Sequence, residues 1–114
     1  MKLFVYGTLK RGLHNHGVLG NSEYLGSATT MGAIYHLGGF PGYKLEGRDE
    51  IHGELYEVSD ELTWNRLDRL EGRPYLYDRH EKDVRYEGGE VAAQIYVFQR
   101  DVPESSRIAS GRWE

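Results

Sequence analysis

EIHGELYEVSDELTWNRLDRLEGRP, Glu50 to Pro74, changes its periodicity once, at Ser59. Up to Val58 the residues alternate, with Ile51, Gly53 and Leu55 on one face and Tyr56 and Val58 on the other, which predicts a strand. From Ser59 the spacing is helical. Ser59 is the expected N-cap, and Asp60 and Glu61 complement the helix dipole in the first turn. Leu62, Leu67 and Leu70 fall within one apolar arc with Trp64 at its edge. Gly72 ends the helix and Pro74 prevents its resumption.

Strand signals lie on both sides of this helix. Downstream, Tyr75–Glu87 reads as a polar strand that Gly88-Gly89 turns into a hairpin. Its partner, Glu90–Phe98 (EVAAQIYVF), is apolar on both faces, as a strand covered on both sides should be. Tail residues 99–114 are irregular but carry Ile108 and Trp113, which can dock. Upstream, Met1–Tyr6 (MKLFVY) reads as a buried strand running into Gly7, and Gly7–Gly20 as a loop with room for one helical turn. Glu23–Leu37 is a strand interrupted by glycines, Gly38–Gly42 (GGFPG) is a turn, and Tyr43–Leu45 is a brief strand. Five or six strands with one main helix before the last two predict an α+β fold, a small mixed β-barrel that is closed or nearly so. No internal repeat appears, and residues 1–114 are expected to form one domain.

Composition narrows the functional classes. The 114 residues include 15 glycines and nine tyrosines, but only three prolines. That glycine content is about twice the usual share and suits bent strands and close backbone approach. Cysteine is absent, which removes disulfides and thiolate nucleophiles and fits a reducing, cytoplasmic compartment. A net charge of −4 argues against a general nucleic-acid or anionic-membrane partner. The apolar run Leu3–Tyr6 is too short for a signal segment or a membrane span.

Three places could carry chemistry. At Tyr6-Gly7-Thr8-Leu9 a strand enters a Gly-led loop, where backbone N–H groups released from the sheet can bind a carboxylate or an oxyanion. Lys10 and Arg11 add positive charge beside them. The same residues also suit a plain tight turn with two solvated bases. GTLKRG does not match the Walker pattern. Glu71, at the negative end of the helix dipole, is disfavoured in its ionised form and is therefore a candidate general acid/base, or else an exposed residue at a frayed end. Tyr75 and Tyr77 alternate onto one strand face, either packing there or lining a pocket. His14 and His16 lack metal-site spacing, so no metal is expected, and Ser105-Ser106 has no nucleophile elbow around it.

FVYGTLKRGLHNHGVL at 4–19, LDRLEGRPYLYDR at 67–79, and the closing IYVFQR and SGRW together resemble the γ-glutamylcyclotransferase-like family. Within it they are most similar to the small AIG2-like, γ-glutamylamine cyclotransferase branch. The resemblance covers nearly the whole chain. It implies a compact α+β fold around a small barrel, and an enzyme that cyclises a γ-glutamyl group, releasing 5-oxoproline and a free amine without metal or organic cofactor. It places the catalytic acid/base at Glu71, the substrate-binding loop at Tyr6, Gly7, Thr8 and Leu9, and a pocket tyrosine at Tyr77. The expected partner is a small γ-glutamyl compound, with the leaving amine and the oligomeric state left open. Two other readings remain: a non-catalytic binding module on the same fold, and an anion binder using the GTLKRG turn. The cyclotransferase reading requires Glu71 to point into a cavity rimmed by the Gly7–Leu9 amides.

Overall fold

A computed structural model describes residues 1–113. Strand β1 (Lys2–Val5) leads through a loop and a 3-10 turn (His16–Leu19) to β2 (Glu23–His36) and β3 (Pro41–Glu57). Helix α1 (Glu61–Leu70) follows, then β4 (Tyr77–Tyr86) and β5 (Gly89–Phe98). The five strands close into a barrel in the order β1-β3-β2-β4-β5. All neighbouring pairs are antiparallel except β1–β5 and the additional β3–β5 pairing, which are parallel.

Two features of the strands differ from the sequence expectation. The brief strand expected at Tyr43–Leu45 and the strand at Glu50–Val58 are one continuous, bent element. It pairs with β2 from His36↔Pro41 to Glu23↔Glu57, with register shifts at Tyr24/Gly26 and Gly32/Ala33. Such irregularities bend a strand and let one long hairpin wrap a barrel. The polar run between Leu45 and Glu50 hides this continuity in the sequence. The second hairpin turns at Glu87-Gly88, with Gly89 already paired to Tyr86 as the first residue of β5.

Strand alternation sorts the core into two clusters. Phe4 and Tyr6 join Ile34, Tyr43, Ile51, Leu55, Val84, Ile95 and Val97 in one. Leu3 and Val5 belong to the other, with Val58, Trp64, Leu67, Tyr77, Tyr96 and Phe98, against which α1 packs. The double-sided apolarity of β1 and β5 thus has its cause: one face fills the barrel and the other carries the helix.

The helix is capped one residue later than expected. Asp60, not Ser59, accepts from the Leu62 amide at 3.1 Å and from the Thr63 hydroxyl at 3.0 Å. Its buried face is Thr63, Trp64 and Leu67, whereas Leu62 and Leu70 are exposed. The indole of Trp64 explains the rotation, because its Nε1–H donates to the Val58 carbonyl at 2.9 Å and draws the ring inward. Gly72, at φ +64, then takes the left-handed conformation that stops the helix. Tyr75 lies in the following turn and is 82% exposed, so it does not share a strand face with Tyr77. Among the described residues no helix is long and apolar enough to cross a membrane.

Candidate active site

Glu71 follows Leu67 by four residues and Trp64 by seven, so the buried face of α1 continues through it. Its N–H donates to the Leu67 carbonyl at 3.0 Å, and its own carbonyl accepts from the Tyr77 amide at 3.2 Å. These bonds fix the backbone on both sides of the carboxylate. The side chain opens into a cavity of about 230 Å³ beside the end of β1. Tyr6, Gly7, Thr8, Leu9 and Tyr77 line the same cavity. The six residues that the family resemblance placed in the site therefore line one cavity, where the turn after β1 and the end of α1 come together across 62 residues or more of chain; Tyr75 does not line it.

The turn is held open by its own bonds. Lys10 N–H donates to the Gly7 carbonyl, and Asn15 binds Thr8 twice, through N–H to the carbonyl at 3.1 Å and Nδ2 to Oγ1 at 2.9 Å. The N–H groups of Gly7, Thr8 and Leu9, by contrast, have no acceptor among the described residues. Gly7 is required by contact rather than by φ: a Cβ there would lie 2.7 Å from Cγ of Pro41. Lys10 and Arg11 do not line the cavity. Lys10 Nζ donates to the Trp113 carbonyl at 2.6 Å. Arg11 lies 4.0 Å over the Tyr24 ring and pairs with Glu54.

Tyrosines form the floor. Tyr77 donates to the Pro41 carbonyl and Tyr6 to the Tyr96 carbonyl, both at 2.7 Å, while Tyr6 Oη also accepts from the Tyr43 amide. Their hydroxyl protons are committed, so Tyr77 can serve a ligand only as an acceptor or by packing. Tyr96, which the sequence did not single out, also lines the cavity and donates to Asp68 Oδ1 at 2.7 Å. Burial raises the phenol pKa of Tyr6, Tyr77 and Tyr96, and the nearby Glu71 charge raises each further.

Desolvation lifts the Glu71 carboxyl from its ordinary 4.5 to about 7. No described side chain donates to it or pairs with it. Of the arginines near it in sequence, Arg69 is exposed, Arg73 binds Asp68 at 3.1 Å and Asp78 at 2.8 Å, and Arg79 binds Asp68 while its guanidinium stacks 4.7 Å over Trp64. Asp68 is thus a further residue the sequence reading missed. Its signal was there, an acid one turn before Glu71 with arginines on either side. Among the described residues no cluster of three or more His, Cys, Asp or Glu could hold a metal.

The family described as γ-glutamyl cyclotransferase, AIG2-like, matches residues 3–114. The chain belongs to this family. A Vibrio cholerae protein that carries the cyclotransferase family name is 41% identical over 113 residues, covering 97% of this chain and 93% of its own length. The γ-L-glutamyl-butirosin B γ-glutamyl cyclotransferase of Niallia circulans is 39% identical over 107 residues, 87% of this chain and 67% of that protein. Among solved structures, YkqA from Bacillus subtilis superposes with a TM-score of 0.81 at 32% identity. That alignment takes in 98% of this chain but only 39% of the longer YkqA chain. This family member therefore shares its relatives' barrel with one main helix, as the motifs implied.

Proposed function

We propose that this family member is an active cyclotransferase on γ-glutamyl amides, with Glu71 as its general acid/base. The reading rests on one observation: an unpaired, desolvated carboxylate lines a small cavity with three consecutive residues whose amide N–H groups lack acceptors among the described residues. The relative from Niallia circulans, named for γ-L-glutamyl-butirosin B, supports a γ-glutamyl substrate.

In the reaction the substrate's α-amine attacks its own γ-carbonyl. A C–N bond forms to close the five-membered ring, and the bond to the leaving amine breaks. The α-ammonium must first lose a proton, with a reference pKa near 8. A Glu near 4.5 would lie over three units below it, making that transfer uphill by about 4–5 kcal/mol. At about 7 the gap shrinks to about 1 kcal/mol. Glu71 takes this proton and returns it to the leaving nitrogen; the second proton, which the attacking nitrogen sheds as the lactam forms, follows by the same route, so the amine departs as its ammonium and no external acid is needed. The Gly7–Leu9 amides receive the substrate α-carboxylate or the tetrahedral oxyanion, and the free lone pairs of Tyr77 Oη accept from the ammonium. Holding a flexible chain in its cyclising shape supplies several kcal/mol more. The nucleophile comes from the substrate, which accommodates a chain without cysteine.

The test is direct. Purified protein is incubated with a panel of γ-glutamyl amides and 5-oxoproline is quantified. Turnover in wild type with loss of about 10²–10⁴-fold in Glu71→Gln is expected. Ligand binding without 5-oxoproline release would instead favour the non-catalytic binding module.

A further inference from the structure

The cavity changes character from its inner end to its opening. Gly7 and Leu9 are buried and Glu71 and Thr8 half-buried, which makes them its inner part. At the opening stand Phe40, in the turn between β2 and β3, and Leu70, the last residue of α1. Both line the cavity yet remain 40% and 39% exposed. The Leu37 amide donates to the Phe40 carbonyl at 3.0 Å, and the next residue, Pro41, is buried, so the Phe40 backbone is held in place. Leu76 and Leu9 continue the apolar wall inward. Among the described lining residues there is no Lys or Arg, and Glu71 is the sole carboxylate. A charged substituent at this opening finds no fixed counter-charge. An apolar one covers two large side chains that otherwise face water.

We propose that Phe40 and Leu70 form an apolar lip that receives the leaving amine, and that the preferred substrates are γ-glutamyl amides of uncharged alkyl or aralkyl amines. The inference rests on the cyclotransferase reading and specifies the part of the substrate that reading leaves open. The inner end is taken by the glutamyl head, because only there do an acid and unpaired amides coincide. The amine must then extend towards the opening, over the Phe40 ring and the Leu70 side chain. An aromatic amine gains further from edge or face contact with Phe40.

The experiment measures kcat/KM for γ-glutamyl methylamide, propylamide, pentylamide and benzylamide, with the ε-lysine conjugate as the charged counterpart of the pentylamide. Expected is a rise of about two- to fourfold per added methylene, and a preference of about tenfold or more for pentylamide over the lysine conjugate. In the double variant Phe40→Ser/Leu70→Ser the slope along the series flattens. Both side chains are surface-exposed, so the fold should survive, and a thermal melt checks this. A flat wild-type series, or preference for the lysine conjugate, with turnover intact would overturn the lip and leave the cyclotransferase reading standing. If no compound is turned over, that reading fails instead. Calorimetric affinity for the same series then decides the lip: rising affinity that flattens in the double variant upholds it, and flat affinity overturns it.

Discussion

Glu71 is raised to about 7 by desolvation, and this one shift has a thermodynamic consequence as well as a kinetic one. Its folded pKa exceeds the unfolded value of 4.5, so the folded state binds the proton more tightly. Between those two values stability falls as pH rises, and above about 7 the full destabilisation is present. Glu71→Gln removes a charge that folding disfavours. The variant should therefore be more stable than wild type at pH 8, by about 1–3 kcal/mol once partial exposure is allowed for. Near pH 4, where both forms are neutral, the gain should vanish. Denaturant unfolding at the two pH values measures this, and an equal or lower stability of Glu71→Gln at pH 8 would mean the carboxylate is not desolvated. Gly7 gives a second residue-scale prediction. Gly7→Val places a side chain against Pro41, forcing apart the turn and the start of β3. Titration with a γ-glutamyl ligand should show affinity lost by about tenfold or more, and normal binding would move the amide cradle elsewhere.

At the scale of the element, the end of α1 is organised by Asp68. It accepts from Tyr96 and pairs with Arg73 and Arg79, two cations close to Glu71 in sequence. Around Glu71 itself stand the phenols of Tyr6, Tyr77 and Tyr96, with exposed His14 among the cavity-lining residues. Asp68→Asn keeps a partner for Tyr96 but weakens the hold on the arginines. One of them, released towards Glu71, would lower its pKa. The acidic limb of the pH–rate profile should then move down by about half a unit or more while kcat falls. A change in kcat with an unmoved limb would assign Asp68 a merely structural role. This element also shows where sequence reasoning stops. Periodicity located α1, and the Gly72-x-Pro74 signal located its end. The arc of leucines was misleading, because one hydrogen bond from Trp64 to Val58 sets the rotation, and a spacing pattern of apolar residues carries no hydrogen bonds.

For the whole molecule, the barrel and its single helix were legible because each rests on a local regularity. β5 is apolar on both faces, β1 runs into Gly7, and the pattern switches at Ser59. The join of Tyr43–Leu45 to the strand expected at Glu50–Val58 was not legible, since a polar segment inside a strand reads locally as a break. The site was legible as separate parts, Glu71 and the Tyr6–Leu9 turn. Their meeting depends on closure of the sheet, with β1 between β3 and β5 and β4 returning from α1 beside β5. Closure also explains why Lys10 and Arg11 are drawn off to Trp113 and Glu54, leaving the turn to act through its amides alone. Lys10→Ala should accordingly change ligand affinity by less than about threefold in a binding titration, because its ammonium is held by the Trp113 carbonyl and does not line the cavity. A much larger loss would show that the lysine charge, not the amides, holds the anion.

The central claim is that Glu71 is the proton-transfer group of a γ-glutamyl cyclotransferase. The most direct measurement is kcat/KM against pH for wild type beside Glu71→Asp, on the best γ-glutamyl amide. Protonated Glu71 cannot accept the substrate's proton, so the wild-type rate should fall tenfold per pH unit below an inflection near 7. In Glu71→Asp the carboxylate is withdrawn by one methylene into a different environment. The account predicts a much lower rate with a displaced acidic limb. An acidic limb that stays in place at comparable activity would contradict it, because another group would then be titrating.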